Sequence, residues 1–208
     1  MRELRGRLRV SYFIMIMCWF ADAPNPASGP IPADVAPYFE GPYYEWWNAH
    51  KDEAGEGWLY EGYEKTITLL QDVVRLHGPF DGVMGFSQGA AVASLLAGMQ
   101  RSGRLLKDQP LLRFCVLFAG IKIRSKVRGD EGEVDCISEI YEGMRSCPSL
   151  HIIGARDPIK RMTNDLIASF DNPVVIDHVK GHVIPALQGP DLQRFRAFLE
   201  SQSQESSL

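Results

Sequence analysis

The sequence lacks the patterns that mark several common classes of protein. Its four cysteines form no CxxC pair, which disfavours both a structural zinc site and a disulfide framework. The nucleotide and metalloprotease signatures GxxxxGKS/T, GxGxxG and HExxH are absent, so we expect neither a cofactor nor a metal ion. Basic residues number 22 against 26 acidic ones and form no basic stripe, which disfavours a nucleic-acid partner.

Long hydrophobic runs are also missing. The apolar run of residues 10–20 is too short to cross a bilayer, which takes about 20 residues, and we expect no stable membrane insertion. Because a basic stretch precedes this run and small residues follow it, residues 1–23 resemble a secretory signal. The aromatic and β-branched residues of the run, and the proline-rich segment after it, favour a buried strand instead. If the run is a buried strand, we expect a cytoplasmic protein. If residues 1–23 are a secretory signal, we expect a secreted one.

The sequence does contain a regular alternation of short apolar runs and amphipathic segments. Helical spacing of apolar residues, or an alanine- and leucine-rich composition, predicts helices at 64–77, 90–99, 137–144, 160–170 and 190–199. Compact apolar runs bounded by glycine, proline or polar residues predict strands at 80–86, 114–118, 150–153 and 174–176. Strands that alternate with helices indicate an α/β fold with a mostly parallel sheet and helices on both faces.

Length and composition predict a single domain over residues 1–200. Residues 1–11 are expected to be irregular, and the polar tail 201–208 is expected to be disordered. The charged segment 124–145 is interpreted as a mobile insertion that contains one short helix.

A segment rich in proline, glycine and aromatic residues, 21–63, has no sustained helical period and is predicted to be a long surface loop. Loops of this length in a compact domain often form lids or binding walls. The segment carries a cluster of aromatic residues: Tyr43, Tyr44, Trp46 and Trp47. This cluster, with Phe86 further along, is a candidate surface for an apolar acyl chain. The alternative is an aromatic cluster packed on the core.

The most informative motif is Gly85-Phe86-Ser87-Gln88-Gly89, which fits G-x-S-x-G. It follows a predicted strand and opens a predicted helix, the context in which a serine lies on a strained strand-to-helix turn. Glycines two positions before and after the serine remove side chains that would collide in such a turn. The turn aims the backbone N–H of Gln88 at the place where negative charge develops during acyl transfer. The alternative is a serine in an ordinary loop.

A serine hydroxyl needs a histidine to take its proton and a carboxylate to orient that histidine. In this structural context the acid and then the histidine follow the serine along the chain, which excludes His50 and His77. His151 opens a predicted strand, and His178 lies at the end of another. His182 lies in a loop near the C-terminus, from which an imidazole can reach the serine, and it is the favoured base.

Asp157 is the favoured acid, because it directly follows the predicted strand 150–153. Open α/β sheets assemble their sites at this carboxyl end of the strands. Asp171 and Asp177 are the rivals. Asp171 is explained better by a helix-ending turn, and Asp177 lies within the last predicted strand. The sequence thus offers a serine, an acid and a base in the required order.

Four segments, FDGVMGFSQGA, LHIIGARD, GHVIP and PYYEWW, together resemble the family serine hydrolases over about residues 20–199. The resemblance implies a compact α/β-hydrolase fold and a small-molecule substrate that is a carboxylic ester or thioester. It places Ser87, Asp157 and His182 at the catalytic positions of the family. It also implies that the backbone N–H of Gln88 lines the oxyanion hole.

The sequence departs from this family at its front, where members have an apolar strand that runs into an LHG-type loop supplying the other oxyanion N–H. Leu8-Arg9-Val10 resembles the start of that strand, but no LHG-type loop comes directly after the apolar run 10–20. We therefore expect a truncated or missing first strand and a weakened activity, since losing one oxyanion donor costs about 10²- to 10³-fold in turnover. The alternative is a catalytically impaired hydrolase-fold protein that binds an acyl ligand or a protein partner.

Overall fold

A computed structural model describes residues 16–31, 37, 40–51, 58–123, 127–129, 132–134 and 137–204. The strands in this part of the chain are β1 (Asn25–Pro26), β2 (Tyr44–Glu45), β3 (Asn48–Lys51), β4 (Trp58–Glu61), β5 (Gly82–Phe86), β6 (Phe114–Phe118), β7 (Val127–Gly129), β8 (Gly132–Val134), β9 (Ser149–Gly154) and β10 (Val174–His178). The helices are α1 (Tyr63–His77), α2 (Gln88–Arg101), α3 (Ile137–Arg145), α4 (Lys160–Ile167) and α5 (Gly189–Gln204).

The central sheet has the strand order β10-β9-β6-β5, and every neighbouring pair is parallel. Parallel neighbours need long crossover connections, and α2, α3 and α4 lie between successive strands of this sheet along the chain. The predicted helices and central strands are confirmed, with small shifts at their ends. The predicted α/β fold class is confirmed as well.

Both faces of the central sheet are covered, because successive strand residues point to opposite sides. In β6, Cys115 and Leu117 pack into a core with residues of α1, α2, α3 and α4. Val116 and Phe118 belong to a second core on the other face, where Phe198 of α5 packs. The carboxyl ends of the four parallel strands meet at one edge of the sheet, so the loops that follow them lie close together.

A second sheet is formed by segments that were predicted to be irregular. Its order is β3-β4-β7-β8, and β1 pairs with β2 separately. The prediction of a loop without structure at 21–63 is therefore wrong. In the segment 124–145 the predicted helix is confirmed as α3, but the strands β7 and β8 were not expected. Composition could not show this, because β4 and β7 pair across a long stretch of sequence, with Trp58 opposite Val127.

The N-terminal apolar run is not a strand where the structure describes it. Residues 16–20 pair with no other strand and are exposed, to 87% in the case of Phe20. Trp19 stacks on His77 at the end of α1, with ring centroids 3.7 Å apart. The strand prediction is wrong here because apolar composition does not reveal whether a partner strand is available. The predictions for residues 1–15, including a truncated first strand, lie outside the described residues.

The C-terminal helix is longer than predicted. α5 reaches Gln204, so the prediction of a disordered tail is wrong for residues 201–204, and Gln202 is buried. The polar composition that indicated disorder is offset by packing of one helix face on the sheet. Residues 205–208 lie outside the described part. In the described chain, no helix combines the length and the apolar character that a membrane span needs.

Candidate active site

Ser87 lies on the turn between β5 and α2, at the carboxyl end of the central sheet. Its backbone has φ 54 and ψ −117, a strained conformation for a residue with a side chain. A Cβ at Gly85 would lie 2.1 Å from the carbonyl oxygen of Gly89, so the first glycine of the motif is sterically required. The backbone N–H of Ser87 donates to the carbonyl of Phe118 at 2.9 Å, which ties the turn to the end of β6.

His182 joins the serine to the acid. Its Nε2 lies 3.0 Å from Oγ of Ser87, and its Nδ1 lies 2.8 Å from Oδ2 of Asp157. The predicted contacts among these three residues are therefore confirmed. With a proton on Nδ1, the imidazole donates to the carboxylate, and its Nε2 can accept the proton of the serine hydroxyl.

Asp157 is fixed by the loop that follows β9. Its side chain is 1% exposed, and its Oδ1 accepts a hydrogen bond from the backbone N–H of Ile159 at 2.9 Å. The loop that carries His182 crosses directly over this segment. A Cβ at Gly154 would lie 2.3 Å from the carbonyl oxygen of Gly181, so the glycine permits the close approach. The acid and the base are thus held on two adjoining loops.

The rival residues have other partners. Asp171 pairs with Arg145, and Asp177 pairs with Lys160. His151 is buried within β9, where burial lowers its pKa to about 4. These three residues are therefore occupied elsewhere in the fold, which agrees with the sequence analysis that favoured Asp157 and His182 over them.

Two further histidines also lie apart from the site. His50 lies near Glu61 on the second sheet, and His77 stacks on Trp19. His178 ends β10 with its Nδ1 accepting the backbone N–H of Lys180 at 3.3 Å.

Gln88 has a second role that the sequence did not reveal. Its Oε1 accepts the backbone N–H of Trp46 at 2.8 Å, and its Nε2 donates to the carbonyl of Trp47 at 2.7 Å. The side-chain amide thus accepts one hydrogen bond from the Trp46–Trp47 backbone and donates one to it, as the peptide group of a paired strand would. Nothing in the local pattern indicates this contact, because the partners lie more than forty residues apart.

The aromatic candidates are divided by the structure. Trp47 is 1% exposed and packs against Tyr60 and Tyr63, which contradicts its predicted place on a ligand surface. Phe86 lies beside the base, with its ring centroid 4.8 Å from that of His182. The remaining candidates differ in exposure: Tyr44 is exposed, and Tyr43 and Trp46 are partly buried.

An LHG triplet does occur in the sequence, at Leu76-His77-Gly78. It ends α1, where the N–H of Gly78 donates to the carbonyl of Val74 at 2.9 Å. The whole of β5 separates this triplet from Ser87, a span of roughly 16 Å at 3.3 Å per residue. The triplet lies at the amino end of the strand and cannot supply an oxyanion donor to the serine.

Metal binding finds no support in the described chain, where no group of three or more His, Cys, Asp or Glu side chains is placed to hold an ion. The arrangement is instead a nucleophile, a base and an acid, with the start of a helix beside the nucleophile. Such an arrangement suits acyl transfer.

Comparison with known proteins identifies relatives of this chain. Esterase OVCA2 of Bos taurus is 30% identical over 187 residues, covering 86% of this chain and 75% of its own length. Esterase CG5412 of Drosophila melanogaster is 33% identical over 167 residues, covering 77% of this chain and 55% of its own. Among solved structures, acyl-protein thioesterase 2 of Zea mays matches 76% of this chain and 71% of its own, with 18% identity and a TM-score of 0.48. Residues 2–191 match the family described as Serine hydrolase (FSH1), and the chain therefore belongs to that family.

Proposed function

We propose that the protein hydrolyses carboxylic esters or thioesters through an acyl-enzyme on Ser87. The observation that carries the proposal is the continuous hydrogen-bonded series from Ser87 through His182 to Asp157. Its geometry matches the arrangement that activates a serine nucleophile. The esterases that share the family support the same reaction class.

In the first half of the reaction, Oγ of Ser87 attacks the acyl carbonyl carbon while Nε2 of His182 takes the hydroxyl proton. The carbonyl oxygen becomes an anion beside the backbone N–H of Gln88. As the tetrahedral intermediate collapses, the imidazolium returns the proton to the leaving alcohol or thiol. An acyl-enzyme remains on Ser87.

In the second half, water attacks the acyl-enzyme and gives a proton to His182. Collapse of the new intermediate releases the acid, and His182 returns the proton to Ser87. Throughout both halves, Asp157 holds the imidazole in one tautomer and stabilises its charged form. Each step conserves protons without a cofactor.

The surroundings of the base favour an apolar acyl group. Phe86 contacts the ring of His182, and the two residues after His182, Val183 and Ile184, expose large parts of their apolar side chains. Apolar side chains around a few convergent polar groups are typical of small-molecule sites. We therefore propose medium or long aliphatic chains as the preferred acyl groups.

A fluorophosphonate probe tests the mechanism. Covalent labelling of the folded protein, lost in Ser87→Ala, is the expected result, and hydrolysis of p-nitrophenyl esters of increasing chain length then reports the acyl preference. Folded protein that takes up no probe and cleaves no ester would overturn the proposal. That outcome would favour the alternative, a hydrolase-fold protein that binds an acyl ligand without turning it over.

A further inference from the structure

The backbone of Trp46 is held from three directions. Its N–H donates to Oε1 of Gln88 at 2.8 Å, and its carbonyl accepts Nδ2 of Asn25 at 2.9 Å and the hydroxyl of Thr66. Gln88 also binds the next carbonyl, that of Trp47. Side chains from α1, from α2 and from β1 thus fix the backbone from which the indole projects.

The indole lies against the first turn of α2. Its Nε1 is 3.5 Å from the position that a Cβ of Gly89 would occupy. Gly89 is two residues from Ser87 along the chain, so the indole nitrogen lies beside the turn of helix that follows the serine. Because Gly89 has no side chain, the indole can approach the helix this closely.

The indole N–H is not used by any of the residues that the structure describes. Among the described residues Nε1 has no hydrogen-bond partner, although the backbone groups of Trp46 are all paired. Trp46 is partly buried, and its Nε1 is not among the fully buried nitrogens. An indole N–H is a donor only, and buried ones usually find an acceptor. Because Nε1 is not fully buried, its N–H is free to donate to solvent or to a bound ligand.

The proposed reaction supplies such an acceptor. The anion that forms on the acyl carbonyl is stabilised best by more than one preorganised donor, and the backbone N–H of Gln88 is one. The triplet Leu76-His77-Gly78 is at the far end of β5 and cannot be the second. Trp46 is fixed by the side chain of the same Gln88 whose backbone forms the first donor.

We propose that the indole N–H of Trp46 donates a second hydrogen bond to the tetrahedral oxyanion. The proposal rests on the proposed hydrolysis at Ser87 and assigns the donor that this reaction requires. No covalent bond forms or breaks at the indole, and the proton stays on Nε1. Gln88 then has two roles, since its backbone binds the oxyanion and its side chain positions the other donor.

Trp46→Phe tests the proposal, because it removes the N–H while keeping an aromatic ring and the bound backbone. On a p-nitrophenyl ester the expected loss in kcat is on the order of 10²-fold with KM little changed. The affinity for an alkyl trifluoromethyl ketone, which forms a tetrahedral adduct with the serine, should fall by a similar factor. The matched control is Trp19→Phe, which changes an exposed tryptophan that stacks on His77 at the end of α1 and should leave both quantities unchanged.

A finer substitution separates the N–H from the shape of the ring. Site-specific replacement of the Trp46 indole by benzothiophene keeps two fused rings and removes only the donor, and it should lower kcat as Trp46→Phe does. If either folded variant keeps kcat within twofold of the wild type, or changes KM alone, the assignment is wrong. Failure of the proposed function is distinguishable, because the wild-type protein itself would then show no Ser87-dependent hydrolysis.

Discussion

Two serine–histidine contacts in the described part of the chain have almost equal lengths. In the candidate site, Nε2 of His182 lies 3.0 Å from Oγ of Ser87, and within β9, Nε2 of His151 lies 3.1 Å from Oγ of Ser149. The first histidine is partly exposed and its other nitrogen meets the carboxylate of Asp157. The second is fully buried, and its Nδ1 has no partner in the described chain.

The difference shows what a serine–histidine contact needs beyond distance. His151 has no carboxylate to stabilise a positive ring, and burial lowers its pKa to about 4, so it is a poor proton acceptor. Its edge-on packing against Phe170, with centroids 5.0 Å apart, suits a neutral ring. The contact at His182 has both an acid and access for a substrate. Only one of the two pairs is therefore expected to react.

The largest effect is expected from removing the hydroxyl of Ser87, and the matched control removes that of Ser149. Ser87→Ala should lower ester hydrolysis by about 10⁶-fold, as loss of a nucleophile does in other serine hydrolases, and should abolish fluorophosphonate labelling. Ser149→Ala should retain both hydrolysis and labelling. Labelling that persists in Ser87→Ala and disappears in Ser149→Ala would show that Ser149, not Ser87, is the nucleophile.

Asp157→Asn should leave His182 without a carboxylate partner, as His151 is. The substitution removes the negative charge while preserving the oxygen that accepts the N–H of Ile159. The expected loss in kcat is about 10⁴-fold. Asp177→Asn, which changes an exposed aspartate paired with Lys160, is the matched control and should stay near wild-type activity. Equal losses in both variants would show that the acid has been misassigned.

His151 should make the fold less stable in acid. Its pKa in the folded protein is about 4, against an ordinary value of 6.5 in the unfolded chain. The unfolded chain therefore binds the extra proton between these values, and the free energy of unfolding falls as the pH drops through that window, by about 1.4 kcal/mol per pH unit.

Chemical denaturation of the wild type and of His151→Leu between pH 7 and pH 4 measures this dependence. The variant should lose much of the slope, whereas His178→Leu, at a partly exposed site, should retain most of it. A wild-type slope that His151→Leu leaves intact would mean that other groups cause the acid sensitivity.

The smallest effect is expected at the ion pair beside the site. Lys160 Nζ lies 3.3 Å from Oδ1 of Asp177, and both side chains are exposed to a third or more. Lys160→Met should change the free energy of unfolding by less than about 1 kcal/mol, because water screens such pairs. Thermal unfolding at low and high salt measures it. A loss of several kcal/mol would show that this contact supports the loop of Asp157.

Sequence patterns predicted the contact between Ser87 and His182 without coordinates. The glycine-flanked turn at Ser87 and the apolar runs of β5, β6, β9 and β10 depend on neighbouring residues, so they can be read along the chain. The order of Ser87, Asp157 and His182 then selected the partners. The patterns failed at residues 16–20, at Trp47 and at the second sheet, whose two neighbouring strand pairs, β3–β4 and β7–β8, are joined by the distant pairing of β4 with β7.

By itself, the sequence determined the alternation of strands and helices and predicted the three residues that the structure brings into contact. The features that reveal them are local, namely hydrophobic periodicity and the steric demands of a turn such as that at Gly85. Only the tertiary structure decided that Gln88 binds the backbone of Trp46 and that Trp47 belongs to the core. Gln88 and Trp46 lie 42 positions apart, and Trp47 packs on Tyr60 and Tyr63, so the energies of these contacts depend on geometry that appears only when the chain has folded.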